Sequence, residues 1–113
     1  MSTIFKKIRD KELPADIIYE DDNILCFKDI NNVAPIHYLI IPKKEIKSVN
    51  DLNDSDKMLI GELFIGAKHI AKSLNIDKSG YRLVINCNED AGQTVFHLHM
   101  HIIGGRKLDW PPG

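Results

Sequence analysis

Apolar and polar residues alternate in several short segments of the chain, and a period of two residues predicts β-strands. Residues 17–28 are predicted to form two strands separated by the polar turn Glu20–Asn23. Residues 36–41 form the next strand, and residues 80–86 form a strand that we place at the centre of the sheet. A further segment of strict alternation, residues 92–103, follows near the end of the chain.

A short segment at the start of the chain shows helical spacing instead. Ser2 or Thr3 is the predicted N-cap, and the helix is expected to stop by Leu13–Pro14, since a helix ends before proline. Its apolar face, which we expect to pack on the core, consists of Ile4, Phe5 and Ile8.

A long helix is predicted to begin at residue 54 or 55 and to end near residue 73. Its apolar residues fall on one stripe: Ile60, Leu63, Phe64, Ala67, Ile70, Ala71 and Leu74. Met58, Leu59 and Ile65 lie off this stripe, and an apolar surface wider than one face indicates a subunit interface. His69 also lies off the stripe, and we assign it to the exposed surface.

The alternating segment near the end of the chain carries three of the five histidines. His97, His99 and His101 are each separated by one apolar residue, so on a strand they line one face, opposite Leu98 and Met100. Neighbours on the same face of a strand lie about 7 Å apart. The middle imidazole is therefore flanked on both sides by another.

This histidine face allows three interpretations. Imidazole is a common zinc ligand, but no Cys-x-x-Cys or His-Glu-x-x-His spacing supports a metal site. The second interpretation is a solvent-exposed face without chemistry, but it gives no packing reason for histidine at alternate positions. We favour nucleophilic catalysis, in which the middle histidine attacks and its neighbours orient it and handle protons.

Composition limits the class of protein. The 113 residues suffice for one domain, which we place over residues 1–113. A net charge of -1 does not indicate a nucleic-acid partner, and Cys26 and Cys87 form no redox or metal spacing. With no signal peptide and no apolar run near the ~20 residues that a membrane span requires, we expect a cytoplasmic protein without a membrane partner.

Residues His97–Ile103 match the pattern His-φ-His-φ-His-φ-φ, with φ apolar, at every position. The chain thereby resembles the histidine triad (HIT) superfamily, and in particular its Hint-like branch, the nucleoside phosphoramidate hydrolases. Further matching segments extend the resemblance over nearly the whole chain: Thr3–Phe5, Glu20–Asp22, Phe27–Ile30, Ala34–His37, Ile41–Lys44, Gly92–Gln93 and Trp110–Gly113. It implies an α+β fold with a five-stranded antiparallel sheet, one long and one short helix, and two sheets joined across a homodimer.

The resemblance also implies roles for four histidines. His99 attacks the phosphorus of a purine nucleoside 5′-phosphoramidate and forms a nucleotidyl-histidine intermediate. His101 hydrogen-bonds or protonates the leaving amine, while His97 and His37 hold the arrangement. No metal and no cofactor are expected, because imidazoles and backbone amides meet the charge of the phosphate.

The same resemblance implies a set of substrate-binding residues for AMP, GMP or their phosphoramidates. The apolar slot for the purine base is walled by Ile4, Phe5, Ile8 and Phe27. Asp29 accepts hydrogen bonds from the two ribose hydroxyls, beside the backbone of Ile30. The residues placed near the phosphate and the leaving group, several of them through backbone N–H groups, are Asn86, Gly92, Gln93, Thr94 and Val95. Trp110 of the C-terminal tail approaches the site of the partner subunit.

Two alternatives stay open at this point. A dinucleoside polyphosphate hydrolase of a sister branch carries a similar triad, although the ending Trp110–Gly113 favours the Hint-like branch. A non-enzymatic nucleotide-binding regulatory module is the other, whereas a galactose-1-phosphate type of nucleotidyltransferase would have Gln in place of His101. Thr94 and Asp109 depart from the commoner Ser and from a His of the branch, which leaves the preferred amine open.

Overall fold

Five antiparallel strands form one sheet in a computed structural model that describes residues 3–113. The strands are β1 (Ile17–Glu20), β2 (Ile24–Lys28), β3 (Ile36–Pro42), β4 (Tyr81–Val84) and β5 (Met100–Gly104), in the order β1-β2-β3-β5-β4. The helices are α1 (Ile4–Arg9) and α2 (Lys57–Ser73), so the predicted α+β fold is confirmed. Within residues 3–113, no helix is both long enough and apolar enough to cross a membrane.

α1 begins at Thr3, whose hydroxyl oxygen accepts a hydrogen bond from the Lys6 N–H at 3.0 Å. This is the predicted N-cap, while the alternative, Ser2, lies outside the described residues. The helix ends at Arg9, before Leu13–Pro14 as predicted. Lys11 adopts a left-handed φ of 62°, which a right-handed helix cannot contain.

α2 starts at residue 57 rather than 54 or 55, because residues 54–56 form a separate 3-10 turn. Its buried residues all belong to the predicted stripe: Leu63, Ala67, Ile70 and Ala71. Phe64 departs from the prediction, since its side chain is 48% exposed. Leu59, which the pattern places off the stripe, packs against the core, and His69 is exposed as predicted.

The sheet buries apolar residues on both of its faces. α2 covers one face, where Cys26, Ile40 and Met100 belong to a single buried cluster. α1 covers part of the other face, where two of its residues and four strand residues form a second buried cluster: Phe5, Ile8, Leu25, Phe27, Leu39 and Ile41. Successive residues of β2 and β3 alternate between the two clusters, as the period of two residues requires. The rings of His97 and His99 contact Phe5 on the face that α1 covers.

β5 and β4 differ from their predicted positions. β5 begins at Met100, so His101 lies in the strand while Val95–His97 form a bend before it. The pairing of β3 with β5 ends at Ile40 and Met100, close to Pro42, which has no N–H to continue the ladder. β4 is an edge strand of this sheet, as is β1, and the prediction of a central strand is wrong for the single chain.

Replacing Gly66 of α2 with Val should lower the free energy of unfolding by about 1–3 kcal/mol. A Cβ atom at this position would lie 2.8 Å from Cδ1 of Ile24 and 3.0 Å from Cδ1 of Ile40, so the helix packs too closely on the sheet to admit a larger residue. Urea unfolding of the purified variant measures the change.

The matched control is Gly61→Val on the same helix, where a Cβ atom would meet nothing within 4 Å. We expect the control to stay within ~0.5 kcal/mol of the unaltered chain. Equal losses in the two variants would contradict the close approach of α2 to β2 and β3.

Candidate active site

A cavity of about 590 Å³ opens between α1, the end of β2 and the histidine segment. Ten residues predicted from the sequence to form the site line this cavity: Ile4, Phe5, Ile8, Phe27, Asp29, Ile30, Thr94, Val95, His99 and His101. Leu13, Pro14 and Ala15 line it as well, although no sequence pattern indicates this. The predicted apolar slot is therefore one end of a continuous cavity that reaches two of the histidines.

The remaining predicted residues do not line the cavity. His37 and His97 are buried, and their side chains are not exposed to the cavity. Asn86 is half-buried at the end of β4 and Gly92 is exposed in the following loop. Trp110, in the C-terminal tail, is 82% exposed.

Two backbone carbonyls determine where His97 and His99 carry their protons. Nε2 of His97 lies 2.7 Å from the carbonyl oxygen of Pro42, and Nδ1 of His99 lies 2.8 Å from the carbonyl oxygen of His97. A carbonyl oxygen only accepts hydrogen bonds, so each of these nitrogens is a protonated donor. In neutral His99 the other nitrogen, Nε2, therefore keeps a free lone pair, as a nucleophile requires.

His37 and His101 form a second hydrogen-bonded arrangement with the opposite outcome. The Val33 N–H donates to Nδ1 of His37 at 3.1 Å, so the proton of neutral His37 lies on Nε2. That Nε2–H donates to Nδ1 of His101 at 2.8 Å. The proton of neutral His101 is then on its Nε2. The rings of His99 and His101, 5.1 Å apart between centroids, thus offer a lone pair and an N–H respectively.

Burial keeps these imidazoles neutral in the free protein, because a charged ring loses its hydration there. It lowers the pKa of His37, His97 and His99 below the ordinary value of 6.5. Burial, together with the neighbouring His99 and His37, lowers the pKa of His101 to about 4, although Asp29 acts in the opposite direction. At neutral pH the imidazole of His99 is therefore uncharged.

Phe5 of α1 connects the apolar end of the cavity to His99. Its ring packs edge-on against His99, with centroids 4.9 Å apart and planes at 82°. It also packs against Phe27 of β2, with centroids 5.4 Å apart at 68°. Such edge-to-face contacts hold rings in defined orientations. The helix that walls the slot thus also restrains the His99 ring.

Asp29 lies where β2 ends and contacts more than the cavity. Its Oδ1 accepts a hydrogen bond from the Asn31 N–H at 2.8 Å, the turn-forming role expected of an Asp at a strand end. Its Oδ2 lies 3.3 Å from Nε2 of His37. The carboxylate therefore faces the histidines as well as the cavity, a contact that the sequence does not indicate.

Gln93 holds the loop that precedes the histidines. Its Oε1 accepts from the Asn88 N–H at 2.9 Å, and its Nε2 donates to the carbonyls of Lys47 at 2.7 Å and Val95 at 3.1 Å. The side chain is buried, and its amide is engaged with backbone groups on both sides of the loop. Gln93 thus positions the neighbouring segment that lines the cavity.

The backbone N–H groups of this loop differ from the sequence expectation. Those of Gly92 and Gln93 donate to carbonyls inside the same loop, at 2.9 and 3.1 Å. Gly92 adopts a φ of 85°, a left-handed conformation that glycine accepts without steric cost. Of the residues predicted for this loop, Thr94 and Val95 line the cavity.

One group of side chains has the composition of a metal site, and it is not the predicted face of alternating histidines. Polar atoms of Asp29, His37 and His101 lie within 4.8 Å of one another. A cation at this point would need the lone pair of His37 Nε2, and its proton would have to move to Nδ1, which already accepts from the Val33 N–H. The hydrogen bonds around the group therefore favour a proton between the rings over a metal ion.

The geometry agrees with comparisons of the chain with known proteins. The sequence profile of the HIT domain family matches residues 10–108, and the chain belongs to this family. An uncharacterised HIT-like protein from Synechocystis sp. is 51% identical over 111 residues, which cover 98% of this chain and 96% of that protein.

Solved structures extend the likeness to three dimensions. A HIT family hydrolase from Legionella pneumophila has a TM-score of 0.97 and 48% identity, covering 99% of this chain and 100% of that chain. A HIT family hydrolase from Clostridium thermocellum has a TM-score of 0.93 and 44% identity, covering 96% and 94% respectively. The five-stranded sheet with one long helix is thus the arrangement of the family.

Lowering the pH from 7 to 4 should reduce the free energy of unfolding. The unfolded chain binds protons on histidine near the ordinary pKa of 6.5, whereas the folded chain protonates His101 only near a pKa of about 4. The unfolded state thus holds more protons in this interval, so stability rises with pH. His101 alone contributes on the order of 3 kcal/mol across it. Urea unfolding at several pH values measures the slope.

His101→Gln should flatten this pH dependence, because Gln does not titrate. His69→Gln is the matched control, since His69 is exposed on α2, and it should leave the slope unchanged. An identical slope in the unaltered chain and in His101→Gln would contradict the buried, neutral state of His101.

Proposed function

We propose that the chain is a nucleoside phosphoramidate hydrolase that cleaves the P–N bond of purine nucleoside 5′-phosphoramidates without a metal ion. The observation that carries this proposal is the pair of fixed tautomers at the end of an apolar cavity. His99 presents a free lone pair there, and His101 presents an N–H. Two similar structures are those of HIT family hydrolases, which supports a hydrolytic reaction.

We place the nucleotide in the cavity with its base at α1 and its α-phosphate at His99. The purine base enters the apolar slot between α1 and Phe27, and the ribose hydroxyls donate to Asp29, because a carboxylate accepts from two donors at once. The α-phosphate then lies over His99. Thr94 and Val95 supply the hydroxyl and backbone N–H groups nearest to its oxygens.

In the first step, Nε2 of His99 attacks phosphorus in line with the amine. The P–N bond breaks and its electron pair stays on the nitrogen, to which doubly protonated His101 delivers its Nε2 proton. A neutral amine leaves, and the nucleotide remains bonded to His99. The negative charge of the bound phosphate favours the doubly protonated form of His101.

In the second step, water attacks the phosphorus of the nucleotidyl-histidine. His101, which is now neutral, accepts a proton from that water, and the P–N bond to His99 breaks. The products are a nucleoside monophosphate, neutral His99 and doubly protonated His101, so the cycle is complete. Imidazoles and amides meet the charge throughout, and we assign no cofactor to the reaction.

Replacing His99 with Ala should lower kcat/KM for adenosine 5′-phosphoramidate at least ~10⁴-fold, because the attacking atom is removed. The assay measures AMP release in the presence of EDTA, beside diadenosine tetraphosphate as a second substrate. His69→Ala, on the exposed side of α2, is the matched control and should retain full activity.

Other outcomes of this assay contradict the proposal in distinct ways. A preference for diadenosine tetraphosphate would assign the chain to the dinucleoside polyphosphate hydrolases. Cleavage of neither substrate, with AMP still bound, would favour a nucleotide-binding regulatory module. Activity that EDTA abolishes would contradict the metal-independent mechanism.

We also propose that the chain forms a homodimer through the outer edge of β4. An outermost strand presents backbone N–H and C=O groups that pair with another strand. Glu62 of α2 contacts the β1–β2 turn at Asn23, and Phe64 lies ~200° further round the helix, on the side away from that turn. We infer that the exposed ring of Phe64 belongs to the same interface as the edge of β4.

The C-terminal tail lies beside the same edge. Nη2 of Arg82 on β4 donates to the carbonyl of Asp109 at 2.8 Å, directly before the exposed Trp110. A second copy of the chain joined at β4 would therefore meet this tail. This placement supports the hypothesis that Trp110 borders the leaving-group side of the partner subunit's cavity.

Replacing Phe64 with Asp should convert the dimer into a monomer, because a charge would be buried against the second copy. Light scattering at micromolar protein measures the mass. Met58→Asp is the matched control. The sequence pattern included Met58 in the wider apolar surface of α2, but this side chain is 82% exposed and lies on the side that faces the β1–β2 turn, so the substitution should leave the dimer intact. A monomeric mass for the unaltered chain would refute the dimer.

A further inference from the structure

When His101 is doubly protonated, its hydrogen bond with His37 lacks an acceptor. In the neutral state one proton lies between His37 Nε2 and His101 Nδ1, and Nδ1 of His37 is occupied by the Val33 N–H. When His101 carries two protons, both facing nitrogens bear hydrogen and no lone pair separates them. A third group therefore has to accept a hydrogen bond from at least one of these two N–H groups.

Asp29 is placed to accept it. Its Oδ2 lies 3.3 Å from His37 Nε2, and polar atoms of Asp29, His37 and His101 all lie within 4.8 Å of one another. The side chains of His37 and Asp29 are 4% and 17% exposed, so water competes weakly for this contact. A carboxylate has about four acceptor positions, enough for one N–H of the histidine pair, the Asn31 N–H and the two hydroxyls of a diol.

The charges around His101 act in the same sense. The groups that face it are His99, His37 and Asp29, and the two histidines lower its pKa while Asp29 raises it. Asp29 also raises the pKa of His37, against the larger effect of burial. Asp29 is thus the member of this set that favours the protonated pair.

We propose that Asp29 is a positioning residue for proton delivery, which accepts a hydrogen bond from the protonated His37–His101 pair in addition to binding the ribose. This inference rests on the proposed function, since proton delivery matters where a basic amine leaves. One carboxylate then connects recognition of the sugar to protonation of the leaving group. Ribose binding alone would make Asp29 irrelevant to a substrate without hydroxyls.

The test combines Asp29→Asn with four nucleotides. The sugar is either ribose or 2′,3′-dideoxyribose, and the leaving group is either an alkylamine, which needs a proton, or 4-nitrophenolate, which leaves without one. Asn preserves the size of the side chain but removes its charge. Asp22→Asn, an exposed position in the β1–β2 turn, is the matched control.

We expect Asp29→Asn to lower kcat for the dideoxy alkylamine substrate by ~10²-fold or more, the usual size of a general-acid effect. With the dideoxy 4-nitrophenyl substrate, the same variant should stay within a few-fold of the unaltered enzyme. No effect on either dideoxy substrate would mean that Asp29 only binds ribose. Equal losses on both would mean a general structural role, and either result overturns the proposal.

A spectroscopic measurement separates this inference from the proposed function. Nitrogen NMR of the free protein follows the titration of His37 and His101 in the unaltered chain and in Asp29→Asn. The pair should titrate at lower pH in the variant, and an unchanged titration overturns the role of Asp29. If the unaltered chain cleaves none of the four nucleotides, the proposed function fails, and this titration alone decides whether Asp29 supports the charged pair.

Discussion

Hydrogen bonds between histidine rings and the backbone are the constraint on which the site depends. The carbonyl oxygens of Pro42 and His97 each accept a hydrogen bond from an imidazole N–H. The Val33 N–H donates to Nδ1 of a third imidazole, that of His37. Without such partners a neutral imidazole places its proton on either nitrogen. With them, one ring at the cavity offers a lone pair and the next offers a proton. The chemistry that we propose needs both states at once, and the folded backbone selects them.

The alternation of residues predicted the two faces of this segment, because side-chain direction follows the local period wherever the chain is extended. Leu98 and Met100 are buried with the α2 cluster, and His97 and His99 lie on the other side. The start of β5 could not be predicted in the same way. It depends on Pro42 of β3, which is distant in sequence and adjacent in space.

Most of the cavity was predictable by resemblance, whereas its connections were not. Several motif segments that carry the resemblance line the cavity, and they bring Phe5, Phe27 and Asp29 together with His99. The contact of Asp29 with His37 joins a strand end to a neighbouring strand and has no local signature. Phe64 was assigned to the core because helical spacing marks a stripe but does not show which edge of it the sheet leaves uncovered.

The contact between Val33 and His37 has a consequence for how this site varies among related sequences. Val33 contributes its backbone N–H, while its own side chain is 60% exposed. Any amino acid except proline supplies the same donor at this position. A position that governs proton placement in the site is thus free to drift in identity, and a comparison of side chains alone would pass over it. Such a site therefore depends partly on the backbone conformation and not only on the identity of its side chains.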